Sequence, residues 1–227
     1  MGAAHHRTVI RESRFWLTYQ RQRYTILFYS LLATLIAMPL AATIGLPTVL
    51  IRILVAASLF AAVMPSATPR TRGILLGGVF LLLLARFASV HGYLNVNPAF
   101  FLVLVGFTGL AAAAGSLRYA ISAHDVGAET IYAALSTYLL AGLFFGQIYF
   151  SVETMSPGSI VGPDPTTELT SVYYSFVTLA TLGYGDYLPR TDIARGLATF
   201  EVIGGQLFLA VLVARLIGAF GPQQPKR

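Results

Sequence analysis

Cysteine is absent from the 227 residues, which excludes disulfides, thiolate zinc sites, iron–sulfur clusters and cysteine nucleophiles. Charge is scarce as well: 11% of residues are charged and 56% hydrophobic, where a soluble domain carries about 25% charged residues. Such a chain is expected in a bilayer. Little sequence lies outside the apolar runs, so no folded cytosolic domain is expected. Internal repeats and low-complexity tracts are missing too. Residues 1–23 are rich in arginine and lack the apolar core of a secretory signal, so the first span is expected to remain as an anchor. The net charge of +6 does not imply a nucleic-acid partner. The arginines lie beside apolar spans rather than on a basic soluble module.

Apolar runs long enough to cross a bilayer, at about 20 residues each, fall near 24–44, 47–65, 73–91, 98–117, 128–152 and 193–219. Six spanning helices are therefore expected. Between the last two, Leu169 to Leu182 is apolar but too short to cross and ends in glycine, which predicts a re-entrant element. Pro157, Gly158, Gly162, Pro163 and Pro165 make 154–166 a turret, and Thr166, Thr167 and Glu168 supply a polar helix start. One chain supplies one re-entrant loop, so a central pore requires several copies.

Orientation follows from the basic residues. Arg7, Arg11, Arg14, Arg21, Arg23, Arg70, Arg72, Arg118, Lys226 and Arg227 fall on one side, against Arg190 and Arg195 on the other. The positive-inside rule then places both termini in the cytoplasm of a cell-membrane protein. Arg7, Arg11, Arg14 and Arg21 share one helical face with Val9 and Trp16 roughly opposite. That pattern suits an interfacial helix over 1–23; a loosely ordered tail that only enforces topology is the other reading.

The segment Thr178-Leu179-Ala180-Thr181-Leu182-Gly183-Tyr184-Gly185-Asp186 resembles the potassium-channel signature. The resemblance covers about residues 128–220 as outer helix, turret, pore helix, filter and inner helix. It is similar to six-segment prokaryotic-type channels with one pore loop. The implied fold is an all-α membrane protein of six transmembrane helices, with a re-entrant pore helix and selectivity filter between helices five and six. A homotetramer would build the pore, with residues 24–118 as a four-helix membrane module and 127–220 as the pore domain.

The resemblance implies that carbonyls of Thr181, Leu182, Gly183 and Tyr184, with the Thr181 hydroxyl, replace the hydration shell of K⁺, the transported ion. Carbonyls aimed to one side require backbone conformations that favour glycine, which accounts for Gly183 and Gly185. Thr178, Tyr173, Tyr174, Gly185 and Asp186 are the expected filter supports; Tyr173 and Tyr174 stand where many members carry tryptophan. The Tyr184 ring is expected to point away from the ions into this cuff, with Asp186 bonding pore-helix groups. The pore helix aims the negative end of its dipole at the membrane centre. No organic cofactor is implied.

Gly204 and Gly205 inside the sixth span admit two readings, a hinge for the inner helix or a close helix contact. Glu201, an acid deep in a predicted span, is either a proton sensor or a hydrogen-bonded support behind the filter; Gln206 is open in the same way. Arg52 and Arg86 lie within spans, where snorkelling and contact with lipid headgroups are the alternatives.

The fourth span has no arginine before Arg118, and spans one to four contain no Asp or Glu. A voltage sensor needs several charges crossing the field, so voltage gating is not expected. Only Gly221 to Arg227 follow the inner helix, so no appended regulatory domain is expected in this chain. An intramembrane serine protease is the rival enzyme class. His5, His6, His91 and His124 lie in the tail or near loops, and no nucleophile elbow accompanies them. A weakly selective cation channel is the nearer alternative.

Overall fold

The computed structural model describes residues 22–45, 53, 55–62, 69–123 and 126–220. The expected interfacial helix with Trp16, Arg52, His5, His6, His124, and Lys226 with Arg227 lie outside the described residues, as do the side chains of Arg70, Arg72 and Arg86. Within them the order is α1 (Arg23–Thr43), α2 (Pro69–Val90), α3 (Pro98–Ser122), α4 (Ala128–Met155), β1 (Ile160–Val161), α5 (Glu168–Leu179), β2 (Leu188–Pro189) and α6 (Asp192–Phe220). Residues 55–62 are helical between α1 and α2.

The helix ends follow local chemistry. Asn97 caps α3 by accepting from the Ala99 N–H at 2.9 Å, with Pro98 at the first helical position. Thr167 and Thr170 form a reciprocal capping box at the start of α5. At α1 the free N–H groups of Tyr24 and Thr25 donate to the Glu129 carboxylate, at 3.0 and 3.2 Å, from the first turn of α4. The Arg23 guanidinium lies about 5 Å over the Tyr24 and Tyr119 rings. These contacts knit the starts of α1 and α4 to the end of α3.

Among the described residues α1, α3, α4 and α6 are long and apolar enough to cross a membrane, which makes the chain a multi-pass membrane protein. The apolar part of α2 is shorter, Leu76–Val90, because the helix starts on Pro69-Arg70-Thr71-Arg72. The expected second span, 47–65, is described only at 53 and 55–62.

Helix α4 is the axis of the fold. It packs along α3 and against α1, α5 and α6, and two-thirds of its most apolar window is buried, against 6% for α6. Leu140, Leu143 and Phe144 of α4 meet Tyr24, Leu27, Leu31 and Leu59 in the main core. Small residues allow the approach. A Cβ on Gly146 would lie 2.7 Å from the Val172 Cα, and one on Gly142 would lie 2.4 Å from the Phe176 ring. These two glycines, four apart, seat α5 against α4. The all-α expectation needs one addition, the antiparallel pairing of Ile160 with Pro189 and Val161 with Leu188.

Candidate functional site

The end of α5 carries the chemistry. Its last carbonyls have no partner within the helix, and the following segment supplies one. The Leu182 N–H donates to Val177 O at 2.9 Å and the Thr181 N–H to Thr178 O at 2.9 Å. This pair of bonds is a Schellman closure, and it places Thr181 at the position that turns left-handed, with φ +55. Glycine usually occupies such a position, so a threonine here carries strain of about 1–3 kcal/mol, a cost concentrated at functional sites. Sequence reading assigned left-handed backbone to the two glycines and missed Thr181; its place just past the helix end was the available signal.

Left-handed backbone then recurs at alternate residues: φ is +57 at Gly183 and +81 at Gly185, with none at Leu182 or Tyr184. A Cβ on either glycine would meet nothing within 4 Å, so backbone conformation, and not crowding, demands glycine there. Leu182 and Tyr184 are more than half exposed in the single chain. Gln206 on α6 points its amide nitrogen toward the Thr181 hydroxyl, at a loose 3.5 Å.

Beyond this loop the chain is tied back to α5 and the turret. Tyr173 donates its hydroxyl to Asp186 Oδ2 at 2.8 Å, and its ring meets Tyr187 edge-on at 6.1 Å. Tyr187 lies on Gly162, where a Cβ would come within 2.3 Å of the ring. The Arg190 N–H donates to Ser159 O at 2.8 Å, beside the two-strand pairing. Glu153, at the end of α4, accepts from the N–H groups of Gly158 and Ile160, both at 2.8 Å, and so shapes the turret. Tyr174 points the other way, buried against Tyr149 at 4.8 Å between ring centroids.

Glu201 is 1% exposed. Its carboxylate accepts from the Tyr149 hydroxyl of α4 at 2.7 Å and from the Ser175 hydroxyl of α5 at 2.5 Å. It lies behind α5, away from the loop. Of the two glycines one turn further on, Gly204 has open space around it, whereas a Cβ on Gly205 would lie 2.7 Å from Leu179 O. At Gly205 the geometry is that of a close contact. Thr178 sits in the last turn of α5 and lends its carbonyl to the Thr181 bond.

Two polar links escaped sequence reading because their partners are far apart in the chain. One is Glu129 of α4, which accepts from the free amides at the start of α1. The other is Arg215 of α6, whose two terminal nitrogens donate to the carbonyls of Ile121 and Ala123 at the end of α3. Among the described residues no group of three or more His, Asp or Glu is placed to hold a metal ion.

Residues 127–221 match the model of the family described as ion channel. The voltage-gated potassium channel Kch of Escherichia coli is 30% identical over 149 residues, covering 63% of this chain and 31% of that protein. Protein LctB of Geobacillus stearothermophilus is 30% identical over 101 residues, 41% of this chain and 75% of that protein. The inward rectifier potassium channel Kirbac3.1 of Paramagnetospirillum magnetotacticum is 30% identical over 87 residues, 37% of this chain and 27% of that protein. The chain thus spans less than a third of the length of two of these relatives. No solved structure gives a significant match. The chain belongs to the ion channel family, with the pore domain in its C-terminal half, and is not an enzyme.

Proposed function

We propose that the chain is one subunit of a homotetrameric, potassium-selective channel that conducts K⁺ passively through a filter formed by Thr181, Leu182, Gly183, Tyr184 and Gly185. The observation that carries this reading is the left-handed backbone at Thr181, Gly183 and Gly185, in a loop hung from the C-terminus of a short apolar helix. In an extended strand successive carbonyls point to opposite sides; alternating handedness turns them to one side. Four such loops around an axis would make a cage of oxygens that replaces the water of a dehydrated cation. The negative end of the α5 dipole favours a cation below the cage. The names of Kch and Kirbac3.1 favour potassium among the cations.

Assembly is supported by α6, which buries so little of its apolar surface within one chain. Phe200, Ile203, Leu207 and Ile217 are all more than half exposed, and the loop needs symmetry mates to enclose an ion. Six spans, both termini in the cytoplasm, and lipid as the surrounding partner complete the arrangement, the orientation resting on the ten basic residues of one side.

Gating by voltage is not part of this reading. Helix α3 carries one arginine, Arg118, close to its end, and a single charge crossing the whole field is worth only about 2.3 kcal/mol per 100 mV. The module over 24–118 serves instead as a membrane scaffold around α4. Reconstitution in liposomes tests the proposal: K⁺ flux should exceed Na⁺ flux, and Gly183→Asp should abolish it. Equal flux of the two ions would favour the weakly selective cation channel and contradict the selectivity claim.

A further inference from the structure

We infer that Glu201 is a positioning residue for the filter, fixing the register of α5 against α6 so that movement of the inner helix reaches the filter through the Ser175 and Leu179 contacts. This rests on the conducting filter proposed above and assigns to the buried acid a role in holding that filter.

Two contacts, one helical turn apart on each helix, fix how α5 and α6 meet. The first is the bond from Ser175 Oγ to Glu201 Oε1, 2.5 Å; the second is the contact of Gly205 with Leu179 O, where a Cβ would come within 2.7 Å. Ser175 to Leu179 and Glu201 to Gly205 are each a step of four residues, so the contact faces run in parallel register. Between the two points on α5 lie Val177 and Thr178. Their carbonyls hold the amides of Thr181, Leu182 and Gly183. The clamp therefore brackets the residues from which the filter hangs.

The third arm anchors the clamp to the rigid part of the fold. Tyr149 donates to the other oxygen of Glu201 at 2.7 Å; it is fully buried, and its ring packs on Tyr174, the residue beside Ser175. Both carboxylate oxygens thus take a hydroxyl from a different helix. A polar group buried this deeply is costly to leave without partners, so α4, α5 and α6 are held to one arrangement at this level. Gly204, with open space around it, lies just before the lower contact. A bend there would carry Gly205 and its contact with Leu179 O, while the bonds to Glu201 hold the turn above on α5.

The test uses the full chain in planar bilayers and follows the K⁺/Na⁺ permeability ratio and the rate at which K⁺ current is lost when external K⁺ is lowered. Ser175→Ala and Tyr149→Phe each remove one hydroxyl, Glu201→Leu removes both bonds, and Glu201→Gln keeps a group that can accept from one hydroxyl and donate to the other. Ser175→Ala and Glu201→Leu should speed the loss of current about fivefold, as expected for losing a buried hydrogen bond. Glu201→Gln should stay near the wild-type rate. The double variant of Ser175→Ala with Glu201→Leu should be no faster than the quicker single variant, because the two residues act as one unit. If Glu201→Leu fails to assemble, Ser175→Ala combined with Tyr149→Phe makes the same comparison.

A K⁺-selective wild type whose Ser175→Ala and Glu201→Leu variants both lose current at the wild-type rate would overturn this inference alone. Additive effects of Ser175→Ala and Glu201→Leu would do the same. A wild type that passes Na⁺ as readily as K⁺ would overturn the functional reading and this inference with it.

Discussion

The hydroxyl of Tyr173 on α5 donates to Asp186, 13 residues further along and beyond the loop that follows α5, at 2.8 Å. The bond closes the loop across its outer end, while the Schellman bonds to Val177 and Thr178 close it at the inner end. The loop between has no side chain filling the space beside its glycines. Its shape therefore depends on these two ends.

Tyr173→Phe should loosen the outer end without disturbing the packing of α5, because the ring and its contact with Tyr187 remain. The bond is solvent-exposed, so its loss should leave the overall stability of the protein nearly unchanged. Faster loss of K⁺ current at low external K⁺, read in planar bilayers, is the expected result. Asp186→Asn should have a similar but smaller effect, since an amide oxygen can still accept.

Gly146→Ala should be more damaging than Gly142→Ala. The added methyl at 146 meets the Val172 backbone, which cannot move without shifting α5; at 142 it meets the Phe176 ring, which can turn. Overpacking of this kind costs about 1–3 kcal/mol. Thermal unfolding of the detergent-solubilised protein should rank the two variants in that order, and Phe176→Leu should rescue Gly142→Ala but not Gly146→Ala.

Glu129→Ala should uncap α1. The amides of Tyr24 and Thr25 lose their acceptor, at a cost of about 1 kcal/mol for a lost helix cap. Hydrogen exchange should accelerate at these amides while the amides of α5 stay protected. Exchange that rises equally in both places would mean that the cap holds the whole fold and not one helix.

Arg215→Lys should behave unlike a conservative change. Two terminal nitrogens of the guanidinium reach the carbonyls of Ile121 and Ala123 together, and an ammonium carries its three donors on one nitrogen and cannot reproduce that fork. Both Arg215→Lys and Arg215→Gln should lower thermal stability, the second by about 1–3 kcal/mol. A change in open fraction should accompany it, because this side chain joins the end of α6 to the end of α3.

What could be read ahead of the structure was local. The left-handed backbone at Gly183 and Gly185, the polar start at Thr167 and the extents of α1, α4 and α6 all follow from patterns within a turn or two of helix, where neighbours in sequence are neighbours in space. The cap partner of Thr167 proved to be Thr170, within that same range. Glu129, whose target lies 105 residues away, and Arg215, whose targets lie 92 and 94 residues away, were not legible, because nothing local distinguishes a carboxylate or guanidinium with a remote partner. Gly142 and Gly146 carried a signal, small residues four apart in an apolar helix. The partner they seat, α5, is set only by how the chain turns back through the turret. The two-residue strands are too short to leave any alternation in the sequence.

The central claim is that the backbone oxygens of the filter loop select K⁺. The bi-ionic reversal potential, with K⁺ on one side of a bilayer holding the purified channel and Na⁺ on the other, tests it most directly. A reversal potential driven far toward the K⁺ equilibrium value, and lost with Gly183→Asp, is the predicted result. A reversal potential near zero in the wild-type channel would contradict the claim.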